Sequence, residues 1–254
     1  MMVSSLKRYL NEYGPIPHDQ EPNIMRSFNL RILLSALALL FINATAQAKA
    51  YGNYDPNRIL RVFESPSGNR YGIDLQYLDQ ILDDLSIHAN NYPPEFDTLQ
   101  DRQRAVQNIT MLSVMLDLMV NDPDPSPEIL WRAGYLNSLG HNLDIAGLAQ
   151  RANICFQKHL ARDPDDSLGN YLYGKFLAET NHARLALPYL EKARDHGVVD
   201  ATFALGMTCL ALGDKRKALE YLKAYRQLRP ADSNVTILID AIQNGKFKHK
   251  TIDR

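Results

Sequence analysis

SLGNYLYGKFLAETNHARLALPYLEKARDHG (residues 167–197) and DATFALGMTCLALGDKRKALEYLKAYRQLRP (residues 200–230) are two writings of one unit. In each, an aromatic is followed three residues later by glycine (Tyr171 and Gly174, Phe203 and Gly206). Twelve residues after the glycine comes alanine (Ala186, Ala218), and four beyond that leucine (Leu190, Leu222). The copies lie 32 residues apart, a period at which helix pairs repeat. Such a pair cannot bury its apolar face alone, so the copies must stack on one another.

Working towards the amino terminus, Trp131-Arg-Ala-Gly134 is a third copy of the aromatic and glycine, but its alanine, Ala152, comes 18 residues after the glycine instead of 12. About six extra residues around Gly140 to Leu148 must therefore lengthen the turn or the helices. The boundaries are punctuated. Ser126 before Pro127 opens the first unit, Gly197 closes the second, Gly213-Asp214 turns within the third and Pro230 ends it. Residues 126–230 thus form three repeats, and Asn234 to Gln243 reads as a helix capping the open end.

Upstream, Leu75, Leu78, Ile81, Leu82 and Leu85 recur at helical spacing until Pro93-Pro94, and a second helix runs from a cap at Asp97 to about Val120. Residues 74–125 read as a divergent helical hairpin. The stretch 49–73 is irregular, with a short strand expected over Ile59 to Glu64 and a turn through Pro66-Ser-Gly-Asn69. The fold class is all-α, a solenoid of antiparallel helix pairs with a short irregular segment before it.

Gly174 with Ala186, Leu190 and Ala193, and Gly206 with Ala218, Leu222 and Pro230, resemble the tetratricopeptide repeat family. The junction Ala193-Arg-Asp-His-Gly197 leading to Ala201 and Gly206 also looks like Sel1-type repeats. In that family the glycine lets the two helices approach, the alanine sits at their crossing and the proline ends the second helix. The first copy departs most, with His159 where a small residue is expected. The resemblance implies a right-handed superhelix whose concave face is lined by the first helix of each unit. On that face it places Trp131, Tyr135, Tyr171, Lys175, Phe203 and Met207, an aromatic and weakly charged groove suited to an extended peptide or an amphipathic helix. Aromatics at Trp131, Tyr171 and Phe203 serve equally to pack adjacent units. Tyr135 and Lys175, one residue beyond each glycine, are the better groove candidates. Paired lysines and asparagines, with which family members clamp a terminal carboxylate, are absent.

Ile32 to Ile42 (ILLSALALLFI) follows Arg26 and Arg31 and precedes Ala46-Gln-Ala48, the three-part anatomy of a secretory signal. Starting at Met25 gives a well-proportioned signal over residues 25–48, so residues 1–24 read as an extension from a misplaced start codon, and Lys49 as the first mature residue. An uncleaved anchor of the same polarity is the competing reading. The expected location is periplasmic or secreted. The membrane is a partner only if the segment is retained.

A formal charge of −1 gives no attraction for phosphate, which argues against a nucleic-acid role; Lys246, Lys248, Lys250 and Arg254 form a small basic tail. Met111, Met115 and Met119 repeat every four residues, a spacing that could hold copper(I) but reads as core beside Leu112, Leu116 and Val120. Asp74, Asp79, Asp83 and Asp84 read as a solvated acidic helix face, since calcium needs oxygen ligands around a loop. His88, His141, His159, His182 and His196 show no metal-ligand pair. Cys155 and Cys209 fall on non-neighbouring repeats and read as buried thiols, while sequons at Asn108 and Asn234 lie in helical stretches. No nucleophile motif, phosphate loop or carboxylate pair appears, so neither catalysis nor a cofactor is expected. The function these readings favour is a scaffold that binds another protein or peptide in the cell envelope. The alternatives are a small-ligand or glycan binder closed at one end by the residue 140–148 insert and Tyr51 to Tyr71, and a membrane-tethered assembly factor.

Overall fold

A computed structural model of the chain describes residues 50–63 and 70–245. The apolar stretch Ile32 to Ile42, the Pro66 to Asn69 turn and the basic tail lie outside the described residues. A 3-10 turn (Pro56–Ile59) leads into β1 (Leu60–Phe63), which pairs antiparallel with β2 (Arg70–Ile73), Leu60 opposite Ile73. Then follow α1 (Leu75–Ala89), α2 (Leu99–Val120), α3 (Pro127–Asn142), α4 (Leu148–Arg162), α5 (Ser167–Glu179), α6 (Ala183–Asp195), α7 (Val199–Ala211), α8 (Lys215–Leu228) and α9 (Ser233–Gln243). Apart from the hairpin the described chain is mostly helical, and from α2 onward neighbouring helices pack in sequence order. No helix among the described residues is long and apolar enough to cross a membrane.

Local chemistry sets the helix starts. Asp166, Asp214 and Asp232 each turn a carboxylate back onto a backbone N–H of the first turn of α5, α8 and α9. For α2 the cap is Thr98, whose hydroxyl accepts from the Asp101 N–H at 3.0 Å; Asp97, expected in that role, stands one residue too early. Ser126 caps α3 by position alone, with Pro127 supplying a helical φ at the first position.

The densest packing is within the pairs α3/α4, α5/α6 and α7/α8, and the glycines show why. A methyl group on Gly134 would meet the Phe156 ring at 2.8 Å, one on Gly174 the Leu190 side chain at 2.7 Å, and one on Gly206 the Leu222 side chain at 2.8 Å. Ala152, Ala186 and Ala218, fully buried, occupy the same crossings. Only a residue without a side chain lets these backbones approach so closely. First helices also meet in succession, α3 on α5 and α5 on α7, and each second helix packs on the next first helix.

The insertion in the first pair is distributed along it. Relative to Gly174 in α5, Gly134 stands further from the end of its helix, the connecting turn is longer, and α4 starts later. The extra turn of α3 brings Gly140 against Ile109 of α2 and Leu148, with Ile145 packed beneath. His159 is accommodated by its neighbour: a methyl on Gly169 would meet its ring at 2.5 Å, and its Nε2 bonds Asp166 at 2.8 Å. At the next junction Ala193 and Ala201, both fully buried, replace that large and small pair.

α1 and α2 do not close on each other as a hairpin; both pack instead on α3, and the residues before β1 bridge them. Tyr51, 2% exposed, packs its ring edge-on against His88 of α1 and Phe96. Its hydroxyl accepts from Asn108 Nδ2 of α2 at 3.0 Å, and its carbonyl from Arg104 at 2.9 Å. The Gly52 N–H and the Tyr54 hydroxyl donate to Asp84 Oδ2 at 2.8 and 3.0 Å. The acidic face of α1 is accordingly not a solvated one. Asp84 is buried under these donors, Asp79 is clamped by Arg132, Asp74 caps α1, and Asp83 alone is exposed.

Cys155 on α4 and Cys209 on α7 are free and buried, and burial pushes the Cys155 thiol up to about 12, so it stays protonated at neutral pH. The methionine row is divided: Met115 lies in the core, Met119 packs at its edge and Met111 is exposed.

Candidate partner-binding face

Trp131 and Tyr135 stand one turn apart on α3, as Tyr171 and Lys175 do on α5 and Phe203 and Met207 on α7, because residues four apart share a helix face. Trp131, Tyr135 and Tyr171 are half-buried and rest on one core, that of Phe156, Tyr173 and Phe176. The Trp131 indole N–H donates to Glu128 at 3.2 Å and its ring lies under the Arg132 guanidinium, 4.2 Å away. Arg132 in turn chelates Asp79 through Nε and Nη2 at 2.6 and 2.8 Å, fastening α1 to α3.

Tyr135 and Tyr171 are neighbours. Burial pushes the Tyr135 phenol up to about 12, with the Asp83 and Glu179 carboxylates adding to the rise. Tyr171 rises further, again chiefly by burial, then through Asp200, Glu179 and Tyr135. Both phenols stay protonated at any physiological pH and present an apolar ring with a hydroxyl donor. Phe203 is half-buried on the other side, against the Tyr225 ring of α8 at 5.2 Å. Tyr225 is itself raised by burial and by Asp200 and Asp232.

Two of the six expected groove residues are otherwise engaged. The Lys175 ammonium bonds the Asn90 carbonyl, the Asn90 Oδ1 at 3.1 Å and Glu179 at 2.8 Å, tying α5 to the end of α1. It is a brace inside the molecule, because the N-terminal helices lie within its reach. Met207, 9% exposed, belongs to the C-terminal core with Leu210, Leu222 and Leu238. The residues that sequence reasoning passed over are Asp83, Glu179, Asp200 and Tyr225. Glu179 was findable as the i+4 partner of Lys175 and Asp200 as one turn before Phe203; Asp83 and Tyr225 come from helices outside the first-helix pattern.

Among the described residues no group of three or more His, Cys, Asp or Glu side chains could hold a metal ion. No protein-family model matches the sequence, and no curated protein matches it.

Proposed function

We propose that the chain is an exported, non-catalytic scaffold of tetratricopeptide type, with a Sel1-like second junction. In this reading its stacked pairs wind into a right-handed superhelix, and the face of the first helices holds another protein of the cell envelope. The observation that carries this is the glycine at each of three pair crossings with a half-buried aromatic three residues before it, Trp131, Tyr171 and Phe203. Packing alone needs no exposed ring edge, whereas half-buried aromatics on a rigid frame are the side chains from which binding surfaces draw most of their energy. Export rests on the signal anatomy of residues 25–48, with Lys49 as the first mature residue.

A ligand-closing role for the residue 140–148 insert loses ground, since its Asn142 and Leu143 serve α1 and α2: Asn142 Nδ2 donates to the Ala89 carbonyl at 3.0 Å, and Arg102 to that of Leu143 at 3.4 Å. The test is capture from an envelope extract by the mature chain and by Tyr171→Ala/Phe203→Ala, with thermal melts run beside it. The expected result is a protein retained by the native chain and lost from a variant that still melts cooperatively. Equal capture by both removes the first-helix face from the function.

A further inference from the structure

We propose that the segment held on this face is an extended cationic peptide, one whose lysine or arginine side chains lie over Tyr171 and its neighbours. This rests on the scaffold reading and adds the partner's chemistry to it. Charge complementarity selects the occupant. Of the basic groups near the row, Arg132 is satisfied by Asp79 and Glu128, and Lys175 by Glu179 and Asn90; Arg229, exposed at the end of α8 beside Tyr225, is the exception. The carboxylates are in excess. Asp83 of α1 and Asp200 of α7 are both exposed, and no ion pair to either exists among the described residues. They bracket the row: Asp83 stands one turn beyond Asp79, which Arg132 holds against α3, and Asp200 stands one turn before Phe203 on α7.

An aromatic face attracts a cation through its quadrupole, and an exposed flanking carboxylate adds an attraction that salt screens. An anionic segment would meet two uncompensated carboxylates, against the single exposed guanidinium of Arg229 at the Tyr225 end. A purely apolar segment would cover Asp83 and Asp200 without a partner, at a desolvation cost. Successive first helices present Tyr135, Tyr171 and Phe203 in series, which suits an extended chain bearing a cation at intervals more than a single small cation.

The experiment is fluorescence anisotropy with two labelled nine-residue peptides, one alternating lysine and alanine, the other glutamate and alanine, titrated with the full mature chain. The basic peptide is expected to bind, more weakly as salt is raised, and the acidic one not to bind. Asp83→Asn/Asp200→Asn is expected to weaken the basic peptide about tenfold, and Tyr171→Leu to weaken it as well. Glu220→Gln, on α8 where that carboxylate is 71% exposed beside Arg216, is expected to change nothing. Equal binding of both peptides, or an unchanged affinity in the Asp83/Asp200 variant, overturns the proposal. The basic tail has the same chemistry, so Lys246→Gln/Lys248→Gln/Lys250→Gln is titrated too. A marked gain in affinity there, lost again on adding Asp83→Asn/Asp200→Asn, overturns the partner in favour of the chain's own tail. If no peptide binds while envelope capture still depends on Tyr171 and Phe203, the cationic assignment falls and the scaffold reading stands.

Discussion

The N-terminal helices and the repeats from α5 onward are held together in different ways. Around α1 and α2 the fasteners are polar and reach far along the chain: Arg132 to Asp79 and Asn142 to Ala89 span 53 residues, Asn108 to Tyr51 spans 57 and Lys175 to Asn90 spans 85. From α5 to α9 the fasteners are apolar crossings between adjacent helices, and the longest-range side-chain bonds of α6 reach only one unit back, from Lys192 to Pro164 and from His196 to Asp165. The second kind of region can gain or lose a unit without redesign, since each unit sees only its neighbours. The first kind must be assembled as a whole. It also supplies Asp83 and Asn90 to the side of the row nearest α3, so the end of the candidate face depends on it.

The comparison breaks most sharply at Tyr51. Tyr51→Ala removes a ring that is 2% exposed and is expected to cost about 3–5 kcal/mol. Hydrogen exchange should then rise across residues 75–120 while residues 167–243 keep their protection; uniform loss would mean that the two regions are one cooperative unit. A smaller cost, about 1–3 kcal/mol, is expected for Gly174→Val, because the added carbons overlap Leu190. Chemical denaturation should place that loss in the repeats, with α1 and α2 less affected.

His159→Ala sharpens the comparison within the repeats. It removes the Asp166 bond and opens a hole beside Gly169, for about 1–2 kcal/mol. Gly169→Ala alone should also destabilise, through its overlap with the His159 ring. The double variant re-creates the Ala193 and Ala201 arrangement of the next junction and should be more stable than either single one, a coupling that a double-mutant cycle reads directly. Additive losses would show that the large and small pair is not a unit.

The smallest effect is a pH one. Arg132, then the Trp131 N–H, hold the Glu128 carboxyl below its ordinary value of 4.5. A depressed carboxyl stabilises the fold above the unfolded-state value, and that contribution is lost as pH falls through the lowered folded one. Glu128→Gln should therefore lower stability slightly at neutral pH, with the difference from the native chain closing as pH falls below about 4.5, as measured by melts from pH 3 to 7.

The repeats were legible because glycine and alanine at fixed spacing are themselves the packing instruction. What the chain hides is long-range and polar. Nothing in the spacing of Asn108 says that its amide meets Tyr51, and nothing in Asp84 says that it lies under Gly52 and Tyr54. Lys175 and Tyr171 sit on one helix face and look alike as groove residues, yet the end of α1 takes one and leaves the other half-exposed. His159 was readable as a departure; its remedy, Gly169, lay ten residues on.

The most direct measurement is photo-crosslinking in the producing cell, with a benzophenone side chain placed at Phe203 in one strain and at Leu185 in another, Leu185 being 60% exposed on the second helix α6. A partner held by the first-helix face gives an adduct from Phe203 and none from Leu185. An adduct from Leu185 with none from Phe203 would place the binding surface on the second helices and contradict the proposed function.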